Sequence, residues 1–233
     1  MNLPKRIDQQ LVDKLINFIK YSHKNFSKVM VGINGDLNSL VAAAALQRAL
    51  GEKAVALIFD FDEAARTNSL TAFCQNLSLN TYILKRGVAY RSELSSYHPH
   101  QPEAVRNFYN RFINYHLLIQ ADNMKAVLVD IIDKSDRLAG TRPQGFYGQI
   151  MPFYSLYKTE IIELAKLLNL PEQFIPKTNQ WEKVDQILYL LTEKTLKPEE
   201  IAEQLHIDLE WIKKINSRIN KDYLNSPVNQ FII

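Results

Sequence analysis

The chain has a single cysteine, Cys74, among 233 residues. A lone thiol excludes a disulfide framework, and without Cys-x-x-Cys partners it offers no structural zinc site. No apolar run approaches the roughly 20 residues that cross a bilayer, and the opening Met1–Gln10 carries no apolar signal core. The expectation is a cytoplasmic protein with no membrane partner. Excess charge is also missing: 28 basic against 25 acidic residues give a formal +3, which suits a small anionic ligand without demanding a polyanion. Nothing repeats at a fixed period, so a solenoid is excluded. What remains, 46% hydrophobic and 23% charged residues, is an ordinary globular composition, long enough to bury one full core.

The most informative stretch runs from Lys28 to Leu50. It reads as a short buried strand, Lys28–Ile33, a Gly-containing turn, and an Ala-rich helix from Asn38 to Leu50. The first N–H groups of such a helix lack internal partners and lie at the positive end of its dipole, so Asn34–Ser39 is a candidate anion site. Before it, Asp8–Lys20 places Leu11, Leu15, Ile16 and Ile19 on one helical face with Asp8 as cap. After it come a strand at Ala54–Phe59, a helix at Phe61–Leu77 and a short strand at Thr81–Leu84. This alternation predicts an α/β fold: a doubly wound, mostly parallel sheet of about five strands, helices on both faces, and a helical C-terminal part.

Arg86–Gln101, rich in Ser, Tyr, His and Pro, reads as a loop over the carboxyl edge of the sheet, where ligands bind in such folds. His98 and His100 flank Pro99 without nearby carboxylates and read as solvated rather than metal-binding. A long helix, Pro102–Met124, precedes an apolar strand, Ala126–Ile131, that looks central. Asp133–Leu138 is a short helical turn, Gly140–Gly148 a loop, and Ser155–Leu168 a helix capped by Ser155. Helices follow at Trp181–Thr192, Pro198–Leu205 and Leu209–Arg218, the last capped by Asp208. Residues 1–177 are expected to form the nucleotide-binding core, and 178–233 a helical segment packed on it within the same domain.

In that order these segments resemble the NAD synthetase family of the ATP pyrophosphatase group, with its adenine nucleotide alpha-hydrolase-like fold. The family loop Ser-Gly-Gly-x-Asp-Ser is met by Asn34-Gly35-Asp36-Leu37-Asn38-Ser39, and its Asn-Lys-Ser-Glu by Asp133-Lys134-Ser135-Asp136. Its Leu-Tyr-Lys-Thr stands unchanged as Leu156-Tyr157-Lys158-Thr159, and its Asn-x-x-x-Arg as Asn107 and Arg111. The resemblance implies ATP-dependent amidation of deamido-NAD to NAD with ammonia, through an acyl adenylate. It implies ATP and Mg2+ as cofactors and a homodimer. It assigns pyrophosphate and ATP contacts to Asn34, Gly35, Asn38, Ser39 and Lys158, with Lys158 also the catalytic lysine. The dinucleotide goes to Asn107 and Arg111, and magnesium to Asp136.

The same comparison exposes departures. Asp36 replaces the second glycine, setting a carboxylate where phosphate oxygens approach. It is placed to serve as a self-supplied cap in their stead. Asn38 replaces the loop aspartate, a neutral amide for an anionic magnesium ligand. Asp130-Ile131 stands where the family has Gly-Thr. The loop after Gly140 lacks the family's Lys-x-Gly-Asp, and Lys177 runs almost directly into the helix at Trp181, without the acidic segment that closes over reactants. These changes predict weak or no synthetase activity. Other readings are a nucleotide sensor, a structural or regulatory homodimer, and a helix-turn-helix over Pro198–Arg218 with basic Lys213, Lys214, Arg218 and Lys221. The helix-turn-helix competes with simple packing of those helices, and a nucleic-acid partner is not expected. The apolar tail Phe231-Ile232-Ile233 and the long Pro102–Met124 helix are compatible with a two-fold interface.

Overall fold

The computed structural model describes residues 7–22, 26–139, 148–176 and 179–219. Helix α1 (Gln9–Ser22) is capped by Asp8, whose carboxylate accepts the Leu11 N–H at 2.8 Å. Strand β1 (Lys28–Ile33) leads through the turn into α2 (Leu37–Leu50). Helix α2 is buried on almost every side, and Ala42–Ala45 keep it thin enough to lie against the sheet and α1 together. Gly51, at φ +56°, closes it in the left-handed backbone region that glycine adopts without strain.

Then follow β2 (Ala54–Asp60), α3 (Ala64–Asn76) and β3 (Asn80–Lys85). The Arg86–Gln101 segment is not the expected loop. It contains a helix, α4 (Gly87–Tyr97), stopped by His98 in the left-handed region. Composition hid it because only Gly87 is buried, so no apolar stripe marks a face. Tertiary contacts hold it instead: Tyr90 meets Phe61 edge-on at 5.3 Å, and Arg91 pairs with Asp62 at 2.7 Å.

Helix α5 (Pro102–Met124) leads to β4 (Ala126–Leu128). The sheet order is β3-β2-β1-β4, all parallel. The expected central strand is therefore an edge strand of three residues, and the inner pair is β1 and β2. The fifth strand is reduced to one bridge between Val129 and Ile150. Pro152, lacking an N–H, follows too soon for a longer ladder.

The two faces bury different residues, as the strand period requires. Val29, Val31 and Ile33 face α1, α2, α3 and α7 (Lys158–Leu167). Met30, Val55 and Leu57 face Leu117 and Ala121 of α5. Helix α5 lies close because β1 carries Gly32, where a Cβ would come within 2.8 Å of Leu117 Cδ1. Helices α8 (Asn179–Thr192), α9 (Pro198–Leu205) and α10 (Leu209–Arg218) bury Ile187, Leu190, Ile201 and Ile212 among themselves. Asp208 caps α10, accepting the Glu210 N–H at 2.8 Å. Leu138, Tyr157 and Leu188 tie this bundle to the core. The expected domain boundary at 177, most of the Gly140–Gly148 loop, Lys221 and the Phe231–Ile233 tail lie outside the described residues. No described helix is long and apolar enough to cross a membrane.

Candidate functional site

The carboxyl end of β1 delivers the turn. Gly35 sits at φ +81°, a conformation that a side chain would strain, and this bend points the start of α2 across the sheet edge. Asp36 is the N-cap of α2: its Oδ1 accepts the Ser39 N–H at 2.8 Å, and the Asn34 amide donates to its Oδ2 at 2.9 Å. One donor that would meet an anion, the Ser39 N–H, is thus taken by the turn's own carboxylate. Arg66 of α3, not singled out by the sequence, donates to the Asn34 carbonyl and pairs with Glu63 at 3.1 Å.

Lys158 opens α7 from across the sheet. The helix begins there rather than after Ser155, because its first N–H groups find acceptors on other elements. Ser135 Oγ accepts the Lys158 N–H at 2.8 Å, and Asp185 Oδ2 of α8 accepts the Thr159 N–H at 2.8 Å. Ser135 lies in α6 (Lys134–Leu138), and its hydroxyl donates to Asp185 Oδ1 at 2.5 Å. Asp185 therefore joins three helices at one point. Burial pushes its carboxyl up to about 6, against the pull of the Ser135 and Thr159 hydrogen bonds.

The Lys158 ammonium ends among oxygens. It pairs with Asp133, with Asp136 Oδ2 at 3.1 Å, and donates to Asn38 Oδ1 at 3.1 Å. Trp181 covers it, the ring centroid 5.5 Å from Nζ. Asn38 is held in turn: its Nδ2 donates to the Ile131 carbonyl at 2.8 Å and to Asp133 Oδ2 at 2.9 Å. Asp133, fully buried, caps α6 by accepting the Asp136 N–H at 2.7 Å. Burial draws Lys158 down, but Asp133 and Asp136 outweigh it and hold the lysine above its ordinary range. Burial, reinforced by the Asp136 charge, pushes Asp133 up, and Lys158 opposes that. The trio is a buried, mutually satisfied ion cluster.

The structure thus gathers Asn34, Gly35, Asn38, Ser39, Asp136 and Lys158 at one sheet edge, and adds Asp133, Asp185 and Arg66. Arg111 is exposed on α5, and Asn107 is half-buried one turn before Asn110. Asn110 and Asn114 line a cavity of about 50 Å³ at the ends of β1 and β4, with Gly32, Asn34, Asp130 and Gly148. A divalent ion does not fit the oxygen cluster as built. Magnesium requires near-octahedral oxygens at about 2.0–2.1 Å, and an ammonium already takes Asp133, Asp136 and Asn38.

The family model for NAD synthase matches residues 9–225. The chain belongs to the NAD synthase family. An NH3-dependent NAD(+) synthetase of Thermococcus sibiricus is 25% identical over 234 residues, covering 91% of this chain and 92% of that protein. The one from Campylobacter jejuni subsp. doylei is 31% identical over 186 residues, covering 75% and 74%. A solved NH3-dependent NAD synthetase from Campylobacter jejuni subsp. jejuni, in complex with the nitrate ion, superposes with a TM-score of 0.80 at 25% identity over 95% of this chain and 98% of that one. An NMN synthetase from Francisella tularensis shares the fold, with a TM-score of 0.67 at 19% identity over 90% and 91%.

Proposed function

We propose that this NAD synthase-family chain descends from an enzyme that amidated deamido-NAD with ammonia at the expense of ATP, and that it has weak or no synthetase activity of its own. The observation that carries the reading is the Asp36 carboxylate seated on the Ser39 N–H at 2.8 Å, in the place where an incoming phosphate would need that donor. A phosphate bound there meets a like charge in addition to a filled donor. Asp130-Ile131 in place of Gly-Thr and the short segment before Trp181 point the same way.

Incubation with ATP, Mg2+, ammonium and deamido-NAD, followed by chromatography for NAD and AMP, tests it. No product above background is the expected result. Turnover in the ordinary enzyme range, about 1 per second or faster, overturns it. The second reading, a nucleotide sensor that binds ATP or deamido-NAD without catalysis, is favoured by the retained strand-turn-helix with Gly35 at φ +81°. Calorimetry with each ligand decides between the sensor and a purely structural or regulatory homodimer. Exposed Tyr115 on α5 and Tyr97 on α4 suit a two-fold contact surface for the homodimer.

A further inference from the structure

We propose that Lys158 is the resident cation of this site, and that Asn38 and Asp133 have exchanged amide and carboxylate to seat it, which closes the cluster to a divalent ion. The resemblance implies a carboxylate at position 38 and an amide at position 133; this chain carries Asn38 and Asp133. Taken singly, one change is a lost ligand and the other an added buried charge. The two side chains, however, touch: Asn38 Nδ2 donates to Asp133 Oδ2 at 2.9 Å. As a pair they keep one amide and one carboxylate, and only the end that carries the charge has changed.

The end matters. Position 38 lies in the first turn of α2, beside the anion turn. Position 133 is the N-cap of α6 and is fully buried. There the carboxylate spends one oxygen on the Asp136 N–H and the other on Lys158 and Asn38. Asn38, pinned through Nδ2 to the Ile131 carbonyl and to Asp133, can present only its Oδ1 to Lys158. An aspartate at 38 would strip the Ile131 carbonyl of its donor and set two carboxylates face to face, so each change requires the other. The ammonium has three donors, and Asp133, Asp136 and Asn38 supply three acceptors. A divalent ion would need the same oxygens and the same volume.

The inference rests on the reading of the site as filled by its own side chains, and it can fail separately. Asn38→Asp and Asp133→Asn are each expected to lower the melting temperature by several degrees, and the double exchange to recover most of the loss. Losses that simply add in the double variant overturn the exchange. Titration of the full chain with Mn2+, followed by the paramagnetic signal of the free ion, is expected to show no saturable binding. Lys158→Ala is expected to gain binding of one ion per chain. Saturable binding to the wild type, or a folded Lys158→Ala that binds none, overturns the resident-cation assignment. If Lys158→Ala does not fold, the wild-type titration and the exchange cycle still decide. NAD formation by the wild type would instead overturn the reading of the site as inactive, whereas Mn2+ binding without turnover overturns only this inference.

Discussion

Replacing Asp36 with glycine separates the two jobs that this carboxylate does. It removes the acceptor for the Ser39 N–H and the partner of the Asn34 amide. Glycine is a tolerable N-cap, costing only a few tenths of a kcal/mol, and the lost side-chain hydrogen bond adds about 1 kcal/mol. For a chain of this size that is a fall in melting temperature of about 2–4 °C. Affinity for a phosphate moves much further. A carboxylate about 4 Å from one phosphate charge repels it by about 4 kcal/mol at an effective dielectric near 20. Asp36 is half-exposed, so screening reduces this to about 1–3 kcal/mol, which is about 5- to 150-fold in Kd. Calorimetry with ATP, on the wild type, Asp36→Gly and Asp36→Asn, measures it. Asp36→Asn keeps the cap acceptor and drops the charge, so an intermediate gain there assigns the effect to electrostatics. If both variants fold and bind ATP no more tightly than the wild type, the argument from Asp36 is refuted, and the barrier lies in the altered loops. Restoring aspartate at position 38 alone is expected to lower affinity and stability together, because Asp133 already holds the carboxylate of that pair.

Three further outcomes follow from buried groups. Burial raises Asp185 to about 6 from an ordinary 3.8, so its contribution to stability is fully present below pH 4 and is lost as pH rises through 6, by about 2–3 kcal/mol. Urea unfolding at pH 4.5 and 7 should show this slope in the wild type and not in Asp185→Asn; equal slopes would sink the assignment. Burial pushes the Cys74 thiol up to about 11, so a thiol-specific reagent at pH 8 should leave the native chain unlabelled and label it once in denaturant; fast native labelling would contradict the burial. Gly32→Ala places a methyl 2.8 Å from Leu117 Cδ1 and should cost about 1–3 kcal/mol by denaturant unfolding, with Leu117→Ala in the same chain relieving part of the clash.

Strand β1 and helix α2 were legible because both are buried nearly throughout, and a continuous apolar run with an Ala-rich helix has few other solutions. Helix α4 was not, because aromatic contacts from α5 and Phe61 hold it rather than an apolar face of its own. The missed cap at α7 has the same origin: its first donors are met by Ser135 and Asp185, which are 23 and 26 residues away in sequence. Asp185 did leave a trace, an acid three residues before the fully buried Leu188 on one helical face. An acid in that setting needs donors, which only the assembled fold supplies.

The contact between positions 38 and 133 spans 95 residues, and it changes how the departures from the family pattern are counted. Judged position by position, the site has lost a ligand and buried a stray charge, and each change alone should destabilise the chain. A carboxylate left buried without its cation costs about 3–5 kcal/mol, a large share of a typical folding free energy of about 5–15 kcal/mol. Neither single change would be tolerated easily, yet the cluster they form is closed, with both carboxylate oxygens of Asp133 engaged. Decay of an idle active site predicts loosened helix ends. The hydrogen bonds around Lys158 instead knit the starts of α2, α6 and α7 into one buried network. What the fold keeps at this position is therefore its charge balance, with Lys158 as the cation that holds these helix ends together.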